Sequence, residues 1–305
     1  MKRLLSSTAT ELLAMNKKEK LLAIQSSEGR TMLVEVTCEG APDALENSSM
    51  AELYAAFGAD ILLLNKFDVF QPSIQRIDVD NAEDCIKTLR KYTGKYVGIN
   101  LEPVPAENTM QVEQIELSKG RLATKETALQ AKKLGVDLIT LTGNPDTGVT
   151  NEEIIKATAV MKETVGDDMI IIAGKMHAAG SLKEAGPNLI SKDVIARLVE
   201  AGADIILLPA PGTVPGITLD YVWDLVNYCH SLGVMTLTTV GTSQEEAEKE
   251  TMQQLALMCK MSGTDLHHIG DAGHAGCTAE NIMTYSIAIR GKRHTYNRLA
   301  TSVYR

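Results

Sequence analysis

The stretch GADILLLN, residues 58–65, carries a glycine, an aspartate two positions later and then a short branched apolar run. Glycine takes the left-handed conformation that ends a helix at little cost. The run after Asp60 is too short for a helix and reads as a strand covered on both faces. The phrase returns as GVDLITLT (135–142), GDDMIIIAGK (166–175), GADIILLP (202–209) and GTDLHHIG (263–270), each after an amphipathic segment. Strands also fit MLVEVT (32–37), KYVGINLEP (95–103) and VMTLTTVG (234–241). Eight strands, each followed by room for a helix, predict a single α/β domain, a (β/α)8 TIM barrel; a doubly wound sheet is the alternative.

Around that core, residues 1–30 are expected to hold an extra N-terminal helix, near 7–26, closing the barrel floor. Residues 31–277 supply the barrel, and 278–305 a last helix with a basic C-terminal helical tail, read as solvated. Capping boxes at Ser49/Glu52, Thr150/Glu153 and Thr242/Glu245 are expected to open three of the helices. No linker or low-complexity segment divides the chain.

Composition narrows the function classes. A net charge of -9 without a basic stripe argues against nucleic acid as partner. No apolar run approaches a membrane span and the N-terminus lacks a secretory pattern, so a cytoplasmic protein is expected. The five cysteines form no CxxC pair, which points to reduced thiols and not to a zinc ribbon or disulfide scaffold.

Ligands of such barrels sit at the C-terminal ends of the strands, so the Gly-x-Asp aspartates Asp60, Asp137, Asp168, Asp204 and Asp265 are read as caps and turns at the other end. Strand alternation then selects the inward residues. Glu35 and Thr37 face inward on the first strand, Asn65 on the second, Asn100 and Glu102 on the third, Thr142 on the fourth and His268 on the eighth. The same count places Met169, Ile171, Ala173 and Lys175 inward on the fifth. The adjacent His267 should pack under a helix.

Lys175 ends its strand, and a buried lysine loses its proton readily and can attack a carbonyl. Schiff-base chemistry, anion binding and a structural Lys–Glu pair all stay open for it. The candidate catalytic set is Lys175, Glu35, Glu102, His268 and His177. The candidate substrate contacts are Asn65, Asn100, Thr142 and Asn144, then Gly241, Thr242 and Ser243, then Gly270, Asp271, Gly273 and His274. No local metal-ligand spacing occurs, so no metal residues and no cofactor are predicted. Glu35, Glu102, His177 and Asp271 could nevertheless converge on magnesium or manganese.

The strand order and the last two loops, TTVGTSQEEA (238–247) and IGDAGHAGCTAEN (269–281), resemble the phosphate-binding (β/α)8 barrels, a superfamily with many aldolases, epimerases and decarboxylases of sugar phosphates. The resemblance implies a backbone-amide grip on phosphate at Gly241, Thr242 and Ser243, and at Gly270, Gly273 and Gly276. This sequence departs from the pattern in placing Glu245, Glu246 and Asp271 in those loops. The aldolases of that group that form a Schiff base commonly carry their lysine on the sixth strand, not at the end of the fifth. The Lys-Lys-Cys-Gly-His phrase of the phosphonomutase and isocitrate-lyase barrels is absent.

The resulting expectation is an enzyme of lyase or isomerase type, acting next to a carbonyl on a small anionic metabolite, phosphorylated or carboxylated, in a possible homo-oligomer. The alternatives are a divalent-metal lyase or hydrolase and a barrel that binds a metabolite without turnover.

Overall fold

The computed structural model describes residues 2–38, 45–105, 116–144, 147–178, 184–271 and 279–305. Eight parallel strands close into a barrel in sequence order. They are β1 (Thr31–Thr37), β2 (Ile61–Asn65), β3 (Tyr96–Leu101), β4 (Leu138–Leu141), β5 (Ile170–Gly174), β6 (Ile205–Pro209), β7 (Met235–Val240) and β8 (Leu266–Ile269). The ring shuts where β8 pairs with β1, Met32 opposite His267 and Leu33 opposite His268. The chain is the expected (β/α)8 barrel.

The α-helices of the described residues are α1 (Ala9–Leu13), α2 (Lys17–Gln25), α3 (Met50–Phe57), α4 (Cys85–Thr93), α5 (Lys125–Leu134), α6 (Asn151–Val165), α7 (Lys192–Ala201), α8 (Leu219–Ser231), α9 (Lys249–Ser262) and α10 (Ala279–Ala300). The N-terminal region is two short helices instead of one. Thr8 caps α1 and Asn16 caps α2, each in a reciprocal box with a glutamate three residues on. Leu4, Leu12, Ala23 and Ile24 join the apolar cluster inside the barrel, so this segment does form the floor.

The structure explains the Gly-x-Asp phrase. Gly58, Gly135, Gly202 and Gly263 end α3, α5, α7 and α9 with positive φ. The aspartate that follows enters β2, β4, β6 or β8. Its carboxylate accepts the first free N–H of the preceding strand: Asp60 from Met32, Asp137 from Val97, Asp204 from Ile171 and Asp265 from Thr236. Each carboxylate also has a basic partner: Arg290 and Arg298 for Asp60, Lys20 for Asp137, Lys17 for Asp204 and His230 for Asp265. Only even-numbered strands use this stitch.

GDDMIIIAGK is therefore a false member of the set. Gly166 has a right-handed φ of -62°, and Asp168 is exposed beside Lys132. Ile170, four positions after the glycine, occupies the register that Leu138 holds three positions after its own. A one-residue offset turns every side chain to the other face. Ile170, Ile172 and Met176 belong to the interior cluster, whereas Met169, Ile171 and Ala173 pack against the helices. The inward assignment of Met169, Ile171, Ala173 and Lys175 is corrected accordingly.

Two further expectations change. Thr242 and Glu245 do not open α9, which starts at Lys249; Thr242 instead donates its hydroxyl to the Thr213 carbonyl at 3.0 Å. The tail is not a solvated helix. α10 bends at Gly291, whose φ of 71° suits glycine. Arg290 before the bend and Arg298 after it reach the two oxygens of Asp60 at 2.5 and 2.8 Å, with all three side chains buried. No helix of the described residues is long and apolar enough to cross a membrane.

Candidate active site

At the C-terminal end of the strands the interior turns from apolar to polar. Leu33 gives way to Glu35 and Thr37 on β1, Leu63 to Asn65 on β2, Gly98 to Asn100 on β3, and Leu138 to Thr140 and Thr142 on β4. On β7 the ambiguity of the three threonines resolves. Met235 and Leu237 face inward, so Thr239 shares their side and Thr236 and Thr238 do not. β5 and β6 stay apolar, with Ile172 and Leu207.

Asn65 is the hub. Its carboxamide nitrogen donates to Asp271 Oδ2 at 2.9 Å and to Asn144 Oδ1 at 3.2 Å. Its oxygen accepts from Asn100 and Asn144, both at 3.2 Å, and from the Lys66 amide at 2.9 Å. Lys66 holds a left-handed φ of 58°, an uncommon conformation outside glycine. Thr37 donates to the same oxygen of Asp271 at 2.7 Å. Asn100 donates to Glu35 Oε1 at 2.6 Å.

Among the described residues, no lysine or arginine pairs with Glu35. Burial pushes its carboxyl well above the usual carboxylate range, the charge of Asp271 pushes it further, and the Asn100 bond offsets part of the shift. Glu245, buried beside the same end of the barrel, is also raised, first by burial. His268 lies 3.6 Å from Glu35 Oε2, beyond hydrogen-bond reach, and burial lowers its pKa to about 3. The pair is thus a buried carboxyl with a raised pKa beside a buried imidazole with a lowered one, 3.6 Å apart.

The other sequence candidates sort by position. Glu102 is fully committed: Arg121 binds one oxygen at 2.7 Å and the Asn144 amide donates to the other at 3.1 Å. Arg121 gets there because its loop pairs back on the end of β3, Leu122 bridging Glu102. Lys175 is buried on the helix side, its ammonium 2.5 Å from Glu184, which also accepts the first amide of α6. Burial lowers the Lys175 pKa and Glu184 raises it in part. His177, part-buried, lies three residues beyond β5. Gly270 packs on Gly241, where an added Cβ would meet the Gly241 Cα at 3.1 Å and Glu245 Oε1 at 3.2 Å. Ser243 is exposed and bonds the Thr242 carbonyl. Gly273, His274, Gly276 and Cys277 lie outside the described residues.

His267 packs under α10 as its parity requires, edge-on to Tyr285 and bonded to the Gly29 carbonyl at 3.0 Å. Arg121 and Glu245 were not among the site candidates. Arg121 sits in a loop without periodicity, and Glu245 was read as a helix cap. Among the described residues, no three His, Cys, Asp or Glu side chains are close enough together to hold a metal ion.

Fold and site together define a (β/α)8 barrel with a buried polar cluster at the C-terminal mouth, the end where barrel enzymes work. The chain belongs to the family described as "Domain of unknown function (DUF7916)", whose model matches residues 5–305. No curated protein matches it. Among solved structures it is similar to an archaeal fructose 1,6-bisphosphate aldolase, at 14% identity and a TM-score of 0.57, covering 90% of this chain and 100% of that one. It is also similar to the carboxyl transferase domain of Rhizobium etli pyruvate carboxylase, solved with pyruvate and biocytin. That match has 12% identity and a TM-score of 0.53, covering 96% of this chain and 52% of that one. At such identities the likeness is one of fold.

Proposed function

We propose that the chain is an enzyme that moves a proton next to the carbonyl of a small metabolite, as an isomerase or lyase of the carbon–carbon type. The observation that carries this reading is the placement of Glu35, buried at the mouth, hydrogen-bonded by Asn100 and 3.6 Å from buried His268, with its pKa raised by burial and by Asp271. A protonated carboxyl at neutral pH can donate to a developing enolate oxygen, work for which an ionised carboxylate is useless. Neutral His268 can hold the same oxygen through a ring N–H. Asn100, itself bonded to Asn65, fixes the carboxyl's direction, and Glu102, held by Arg121, positions Asn144.

Lys175 drops out of the proposed chemistry, because its ammonium is already paired with Glu184. The phosphate half of the expectation also weakens. Glu245 lies against Gly270, between the two loops that would grip the anion. A carboxyl there competes with phosphate.

The test is solvent-deuterium wash-in, followed by NMR, on a panel of small hydroxyketones and keto acids. Exchange at the carbon next to the carbonyl, lost in Glu35→Gln, supports the assignment. Equal exchange in that variant rejects Glu35 as the acid.

A further inference from the structure

Five neutral side chains of the barrel interior carry polar atoms with no hydrogen-bond partner among the described residues. They are the Asn100 oxygen, the hydroxyls of Thr140, Thr142 and Thr239, and both ring nitrogens of His268. None of these residues is more than 4% exposed. All lie on the inward parity of their strands. Asn100 stands opposite Thr140 on β3 and β4, and Thr239 stands opposite His268 on β7 and β8. In a ring of eight strands those two pairs face one another. Glu35 on β1 stands between them, bonded to Asn100 and 3.6 Å from His268. The β5–β6 wall of Ile172 and Leu207 completes the ring with apolar surface.

Buried polar groups are almost always paired, so a convergent unpaired set marks where a ligand's own polar groups belong. The chemistry of the set is specific. Threonine hydroxyls donate and accept, a carboxamide oxygen accepts, and a neutral imidazole does one of each. None is charged. The carboxyls at the same end, Asp271 and Glu245, oppose an anion. Of the nearby cations, Arg121 is held by Glu102 and Lys175 by Glu184. Among the described residues, part-buried Lys66 at the top of β2 is a further cation that an anionic substrate could use.

We infer that this lining recognises an uncharged polyhydroxylated carbonyl compound, an aldose or ketose without a phosphate. Its hydroxyls match donors and acceptors on both polar walls, and its C–H face lies on Ile172 and Leu207. The inference rests on the proposed function for the role of Glu35 but not for the lining itself.

Titration calorimetry of the full chain tests it with dihydroxyacetone and xylulose against dihydroxyacetone phosphate. The neutral ketoses are expected to bind about 10-fold or more tighter than the phosphate. Thr140→Val and Thr239→Val, one on each polar wall, should each weaken ketose binding about 10-fold, the loss of one hydrogen bond. Their melting temperatures should stay unchanged or rise, since each removes an unmatched buried hydroxyl. Tighter binding of the phosphate, binding of neither class, or ketose binding indifferent to both valines overturns the inference. Glu35→Gln separates the two readings. Ketose binding without Glu35-dependent exchange leaves the substrate class standing and removes the proton-transfer role. Glu35-dependent exchange of the phosphate alone does the reverse.

Discussion

The two ends of the barrel bury carboxylates in opposite ways. At the N-terminal end Asp60 is completely enclosed, and burial alone would raise its pKa, yet Arg290, Arg298 and Lys95 more than offset this and hold it below the ordinary range. At the C-terminal end Glu35 is also buried, but its acidic neighbours are Asp271 and Glu245, and it is pushed up. The contrast separates burial from its consequences. A buried acid with cations is a rivet, and a buried acid among acids is a proton store.

The comparison can be broken from either side. The largest expected effect is at the mouth: Glu35→Gln should lower turnover of a competent carbonyl substrate by about 10²–10⁴-fold, measured as the exchange rate. The same variant should lose a pH dependence of stability. Glu35's folded pKa lies above its unfolded value, so its contribution is full below the unfolded pKa and is lost as pH rises through the folded one. Wild type should therefore weaken relative to Glu35→Gln as pH climbs out of the acid range, as read by urea melts.

At the floor, Asp60→Ala should destabilise by about 3–5 kcal/mol, because it leaves two buried guanidiniums and the Met32 N–H unmatched. Exchange activity per folded molecule should hold. Equality with wild type in urea melts would show that the C-terminal helix is not riveted there.

Lys95 sharpens the floor. Burial first, then Arg298 and Arg290, lower its pKa to about 7, against the pull of Asp60. The folded value lies below the unfolded one, so stability is present above the unfolded pKa and is lost as pH falls through about 7. Between those limits the slope is at most about 1.4 kcal/mol per pH unit. In Lys95→Met this rise should flatten, and an unchanged profile from neutral to alkaline pH would sink the assignment.

Lys175→Met is the smallest effect. It should cost about 0.5–3 kcal/mol through loss of the Glu184 pair and leave the exchange rate within a few-fold. Abolished exchange in a folded variant would return Lys175 to the chemistry.

Most of the architecture was legible because every second strand carries its own start signal. The helix-ending glycine and the aspartate two residues later set both the element and its parity on β2, β4 and β8, so Asn65, Thr142 and His268 were placed correctly. Glu35 and Asn100 followed from plain alternation. The error at Lys175 has the same origin. GDDMIIIAGK imitates the phrase, but β5 is an odd strand and receives the stitch from Asp204 instead of providing one. One residue of offset turned the parity that includes the lysine from the barrel interior to the helix side. The roles of Arg290, Arg298 and Arg121 were illegible for another reason: each meets a carboxylate far away in sequence or from an irregular loop, and no periodicity records such a meeting. The raised pKa of Glu35 could not be read either, because it depends on burial and on which charges the folded barrel brings near.

The central claim is that burial and neighbouring carboxyls raise the Glu35 pKa at the mouth while the cations of the floor hold the Asp60 pKa down. NMR titration of 13C-labelled glutamate side chains, with Glu35→Gln identifying the Glu35 carboxyl, tests it most directly. The account predicts that this carboxyl remains protonated well past the pH, about 4.3, at which a free glutamate ionises. A Glu35 midpoint at that ordinary value would contradict it.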